Sequence, residues 1–151
     1  MTAETADLIE RLTKATWPDR ELDCLIWAAI NDHDVRYDSN GSVVAIPRPR
    51  PTKEFRIGFI DHGMVERNFY TAGYPSSATP TYTASLDAAL TLVPEGLYWL
   101  VSEGRTRETE PLGGAQVFRP SYLVKPLAEA EHESAVIALV IVALKARAAL
   151  A

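Results

Sequence analysis

The sequence reads as an α+β protein: an antiparallel β-sheet flanked by helices in an α-β-α sandwich-like arrangement, ending in a long C-terminal helix. Helical periodicity opens and closes the chain, while the middle consists of short alternating stretches separated by turn signals. The strands follow one another in hairpins instead of alternating with helices, which favours an antiparallel sheet over a βαβ array. With 151 residues, 47% hydrophobic and 23% charged, the chain is expected to bury one core as a single domain. That composition excludes collagen-like, disordered and disulfide-stapled classes. No internal repeat occurs at a solenoid period.

Leu8, Ile9 and Leu12 lie at helical spacing, and Thr2 or Thr5 can cap their helix. Pro18 suits the first turn of a second helix, whose apolar stripe is Leu22, Leu25, Ile26, Ala29 and Ile30. Cys24 falls inside that pattern and is expected to be buried. Asp38-Ser39-Asn40-Gly41 marks a hairpin between Val35–Tyr37 and Ser42–Ile46, with positive φ expected at the Asn-Gly pair. Pro47, Pro49 and Pro51 alternate with Arg48 and Arg50, which predicts an extended, exposed segment. Phe55, Ile57 and Phe59 predict a strand, turned at Asp61-His62-Gly63 into a return over Val65–Tyr70. Residues 71–83 are too irregular for a core element. Ser85 caps a short helix over Leu86–Val93, and strands follow at Leu97–Ser102 and Ala115–Arg119 around the polar loop Glu103–Pro111. Pro120 and Pro126 bracket another extended piece. From Ala128 to Ala149 no glycine or proline interrupts the chain, acidic residues open the stretch and basic ones close it, so one long helix is expected there. Its apolar circumference exceeds what one sheet face covers, which motivates a homo-oligomer.

A formal charge of −5 gives no electrostatic reason to approach duplex nucleic acid or an acidic membrane. The opening residues do not read as a secretory signal, and the apolar run Ala135–Leu144 is too short to span a bilayer. A lone cysteine fits a reducing, cytoplasmic setting.

Histidine meets carboxylates at Asn31-Asp32-His33-Asp34 and at Asp61-His62-Gly63, the combination that metal sites and acid-base catalysis require. Asp and His are equally ordinary turn residues, and neither spacing reproduces HExxH or an EF-hand loop. His132 is expected to be a solvated helix residue. No GxSxG elbow and no phosphate-binding glycine loop occurs, so no metal, cofactor or catalytic residue is assigned and the chain is read as a non-enzyme. A third group joins rings to guanidinium forks: Tyr98 and Trp99, Arg105 and Arg107, Arg119 and Tyr122, with Tyr82 as a further ring. Rings stack on nucleobases and arginines pair with phosphate, so this set suits a nucleotide-like ligand. Tyr98 and Trp99 point to opposite sides of their strand, which commits at least one of them to the core. Arg48 and Arg50, between prolines, suit either an acidic partner or a solvated loop.

Three segments, Glu21-Leu22-Asp23-Cys24-Leu25-Ile26, Pro80-Thr81-Tyr82-Thr83 leading to Leu86-Asp87-Ala88-Ala89, and Ala138–Arg147, resemble the phage ABA sandwich domain family. The resemblance implies a sheet sandwiched by helices and a phage or prophage accessory role in the host cell, with no catalytic residue to carry over. The leading expectation is therefore a binding protein, an anti-defence sponge for a cyclic nucleotide or ADP-ribose-type signal. The alternatives are a protein-binding inhibitor or structural accessory acting on a host protein, and a metal-dependent enzyme using Asp32, His33, Asp61 and His62.

Overall fold

The computed structural model describes residues 1–61, 64–65, 79–104, 108–121 and 123–151, of which 59–61 and 64–65 are described by their backbone alone. In chain order the elements are α1 (Ala3–Lys14), α2 (Arg20–Ile30), β1 (His33–Tyr37), β2 (Ser42–Pro47), β3 (Phe55–Asp61), β4 (Met64–Val65), α3 (Leu86–Leu90), β5 (Tyr98–Glu103), β6 (Gly113–Phe118), β7 (Ala128–His132) and α4 (Ala135–Leu150). The fold is α+β. Its strands form two antiparallel sheets, ordered β1-β2-β3-β4 and β5-β6-β7. The chain packs as two compact units, residues 19–81 and residues 1–18 with 82–151.

In the unit of residues 19–81, the Asp19 carboxylate caps α2 by accepting from the Leu22 N–H. The helix packs on β1 and β3, and Cys24, Ala28, Val43, Ala45 and Ile57 form a fully buried cluster. The β1–β2 hairpin closes with the Asp38 N–H on the Ser42 carbonyl and the Gly41 N–H on the Asp38 carbonyl. Only Gly41 has positive φ (+88°), because a three-residue loop needs a single left-handed residue and not the pair expected at Asn-Gly. Asn40 instead accepts from the Ser42 N–H through its side chain. Past Pro47 the chain is exposed but not extended. The Arg50 N–H bonds the Pro47 carbonyl and the Lys53 N–H bonds the Arg50 carbonyl, two successive turns. Pro51 occupies the second position of the latter, where its fixed φ is preorganised. The β3–β4 hairpin forms at the expected place, while the remainder of its return and most of 71–83 lie outside the described residues.

In the other unit, Thr2 caps α1, which buries Leu8 and Leu12. Ser85 caps α3, but the helix ends at Leu90 instead of Val93. The N–H groups of Thr91, Leu92 and Val93 bond carbonyls three residues back, tightening the chain out of the α-helical pattern. β5 and β6 pair over six residues without a slip. The stretch between Pro120 and Pro126 is turn and bend where described, not extended.

The largest correction concerns residues 128–134. Ala128–His132 is a strand on β6, and the helix begins only after Ser134, whose hydroxyl accepts from the Ile137 N–H. Pairing with β6 overrides the helix propensity of Ala and Glu, and none of the acidic residues falls in the first turn of α4. His132 is therefore a nearly buried strand residue, its Nδ1 accepting from the Ser134 N–H, and not a solvated helix residue. α4 packs on β6 and β7 with one side and on α1 and α3 with the other, so every residue from Ile137 to Leu144 is buried within the chain. Its apolar circumference therefore gives no reason for a partner at this helix. Among the described residues no helix is long and apolar enough to cross a membrane.

Candidate functional site

The group of rings and guanidinium forks is described only in part. Arg105, Arg107 and Tyr122 lie outside the described residues. Tyr82 is 3% exposed, so its ring fills the core and cannot stack on a ligand. Tyr98 and Trp99 are both about half exposed, contrary to the expectation that one is core. The reason is that β5 is an edge strand, and α4 lies mainly over β6 and β7. Arg119 is exposed, one residue past the last β5–β6 pair. Next to this group the open face of the sheet forms a hollow of about 510 Å³ whose lining includes Leu100, Ser102, Gln116, Glu129 and Glu131. Among the described residues that lining holds two carboxylates and no cation, which opposes a phosphate-bearing ligand there.

The other unit assembles a site from two segments that sequence reading treats separately. Counting back from the 38–41 turn, the β1–β2 register sets His33 opposite Pro47, so the Asp-His turn meets the Pro-Arg segment. Asp32 there has φ +60°, a strained value for a residue with a Cβ. Arg48 holds it. Its N–H bonds the Asp32 carbonyl, its Nη1 the Asp32 carboxylate (3.1 Å) and its Nε the Asp34 carboxylate (3.0 Å). Arg48 thus braces the Asp-His turn, and the Asp32 and Asp34 carboxylates both meet its guanidinium. Among the described residues no three His, Cys, Asp or Glu side chains form a metal-ligating group. The Asp61 side chain and His62 lie outside those residues.

Between these segments is a hollow of about 490 Å³ lined by Asn31, Asp32, His33, Pro47, Pro49, Arg50, Lys53 and Phe55, its one carboxylate, Asp32, being paired with Arg48. Its volume falls within the range of small-molecule sites. The His33 ring is fixed on three sides: Nδ1 donates to the Asn31 carbonyl at 2.7 Å, and the ring centroid lies 5.1 Å from Trp27 and 5.6 Å from Phe55. Trp27 and Phe55 meet edge to face at 5.8 Å. Arg50 and Lys53 pair with no carboxylate among the described residues. The hollow therefore presents oriented rings, proline faces and two cations together. Arg50 was flagged in the sequence. Lys53, the ring of Phe55 and the bracing Trp27 were missed: Trp27 comes from α2 and Lys53 from the turn before β3, and no local pattern brings either to His33.

The quoted segments Glu21–Ile26 and Pro80–Thr83 also meet, at a buried ion pair. Arg20 Nη1 lies 2.8 Å from the Asp23 carboxylate, and its guanidinium donates to the carbonyls of Thr79 (2.8 Å) and Pro80 (3.1 Å). This joint is structural: it fixes the chain entering residue 81 against α2. No family model, curated protein or solved structure matches the chain.

Proposed function

We propose that this protein works by holding a small anionic, ring-bearing molecule in the hollow formed by His33, Pro47, Pro49, Arg50, Lys53 and Phe55. The observation that carries this reading is the meeting of two cations, each without a carboxylate partner among the described residues, with a buttressed imidazole and a phenyl ring in one cavity of ligand size. Guanidinium and ammonium groups bind phosphate oxygens, and flat rings accept a base. In its specific form the reading is a non-enzymatic phage or prophage accessory in the host cytoplasm, an anti-defence sponge for a cyclic nucleotide or ADP-ribose-type signal. The three segments resembling the phage ABA sandwich domain supply that setting.

Equilibrium dialysis of the purified chain against cyclic dinucleotides and ADP-ribose derivatives tests it. A bound compound is expected to be recovered chemically unaltered after denaturation, and Arg50→Ala or Lys53→Ala to weaken binding about tenfold or more each. Trp99→Ala and Arg119→Ala are expected to leave binding unchanged. Retention of no compound, or loss of binding confined to the Trp99 and Arg119 variants, overturns this site. Turnover of the compound overturns sequestration, and specific capture of a host protein with no small molecule favours the inhibitor reading.

A further inference from the structure

Among the described residues four strands end a sheet: β1 and β4 in one, β5 and β7 in the other. Edge strands are kept from pairing with another chain by charge, proline, bulges or shortness. β4 has two residues. β1 carries Asp34 and Arg36, ion-paired with Arg48 and Glu54. β7 carries Glu129 and Glu131, and the Lys145 ammonium donates to the Glu129 carbonyl. β5 has none of these protections. It runs six residues with no proline and no bulge, bears no charge before Glu103, and leaves Tyr98, Trp99 and Leu100 exposed at 56%, 48% and 51%.

We infer that β5 is the edge through which this chain pairs with a second copy of itself, antiparallel, with Leu100 on the two-fold axis. Backbone geometry fixes that register. The Gly104 N–H bonds the Leu112 carbonyl at 2.7 Å. Alternation along an antiparallel ladder then directs the N–H and C=O groups of Ser102, Leu100 and Tyr98 towards β6, and those of Trp99, Val101 and Glu103 outward. Centring the two-fold on Leu100 makes each copy's Trp99 exchange hydrogen bonds with the partner strand's residue 101. It also brings the two Leu100 side chains together at a non-hydrogen-bonded pair, where facing residues are closest, about 4.5 Å between Cα atoms.

Charge and area fit the same arrangement. A parallel pairing in register would set Glu103 beside its own copy about 4.8 Å away. The antiparallel one separates the two carboxylates by six residue steps, roughly 20 Å and beyond the Debye length. A helix about 10 Å across spans two strands spaced 4.8 Å apart, so α4 over β6 and β7 leaves the helix-side surface of β5 open. Trp99 lies on that side, paired with Val117. In the dimer it packs against the partner's residue 101 and closes the gap. Half of each exposed side chain amounts to roughly 300 Å² per copy, given 150–250 Å² for an aromatic residue. With the backbone edge added, the total approaches the lower end of specific interfaces, about 1,200 Å², so the dimer is weak and dissociates in the micromolar range.

Sedimentation velocity of the full chain, run from low to high micromolar concentration, tests this. The wild type is expected to show a monomer–dimer equilibrium. Leu100→Lys and Leu100→Glu, both tolerated at a half-exposed position and checked for folding by circular dichroism, are expected to weaken it about tenfold or more each by setting like charges face to face. Mixing the two variants is expected to restore the dimer, because position 100 then carries opposite charges on the two copies. A wild type that stays monomeric at high micromolar concentration overturns the inference and leaves the edge to a foreign strand. So does a dimer indifferent to both variants, or a mixture that does not recover.

Discussion

Cys24 shows how completely a single side chain is defined by its surroundings. Its thiol donates to the Arg20 carbonyl at 2.9 Å, and it has no exposed surface. Burial pushes its pKa from 9.0 up to about 12, a shift that the neighbouring Arg20 charge only partly opposes. A thiol raised in this way is protonated and unreactive in the folded chain at neutral pH. The pH consequence has a definite sign. Below pH 9 both folded and unfolded chains keep the proton and the contribution to stability is intact. Between about 9 and 12 the unfolded chain alone releases it, so stability falls by about 1.4 kcal/mol per pH unit. Urea denaturation at pH 8, 9 and 10 is expected to show that decline, and Cys24→Ala to lower stability at pH 8 and to flatten the slope above it. An equal slope in both proteins would remove Cys24 as the cause. Arg20, one turn before Cys24, and Asp23, its neighbour in the chain, are buried at 8% and 0% exposure. Nothing in the local sequence of this helix start announces that the Thr79 and Pro80 carbonyls will meet the Arg20 guanidinium.

At the scale of elements, the join between β6 and α4 depends on a residue with no side chain. A Cβ on Gly113 would lie 2.4 Å from the Ala135 nitrogen and 2.5 Å from its Cα, backbone atoms at the first turn of α4 that cannot rotate aside. Gly113→Ala is expected to cost about 1–3 kcal/mol in chemical denaturation, through a forced shift of helix or strand. A Cβ on the adjacent Gly114 would meet the Ser102 hydroxyl at 3.0 Å, a side chain that can turn, and the Ala130 carbonyl oxygen at an ordinary 3.8 Å, so Gly114→Ala is expected to stay within about 1 kcal/mol. Equal costs would deny the close approach its role. The same region shows what was legible in the sequence. Hairpins, caps at Thr2 and Ser85, and the apolar body of α4 follow from local chemistry and were readable. β7 was not read correctly, since Ala-Glu-Ala-Glu has high helix propensity and becomes a strand only because β6 offers a ladder. Its period-two alternation and the Ser134 cap were the available signals. The candidate site was half legible: Asp32, His33 and Arg50 stood out as polar punctuation. Their meeting depends on hairpin register, and the burial of Tyr82 depends on long-range packing that no local pattern encodes.

For the whole molecule, charge regulates what β5 leaves open. Each copy carries a formal charge of −5 at pH 7 and approaches neutrality near pH 5.2. Two copies joined edge to edge therefore repel at neutral pH over distances set by the Debye length, while the contact itself is apolar and gains nothing from ion pairs. Lowering the pH from 8 to 6 at low salt removes part of that repulsion, worth about 0.5–1 kcal/mol or a roughly two- to fivefold tighter dimer. Adding salt at pH 8 acts in the same direction, because it screens the like net charges. An interface held by salt bridges responds oppositely, weakening as salt is added. Light scattering across a matrix of pH and ionic strength separates these cases: association rising with acid and with salt is the expected pattern. Association that falls with salt would place the contact on charged side chains, which β5 before Glu103 does not have.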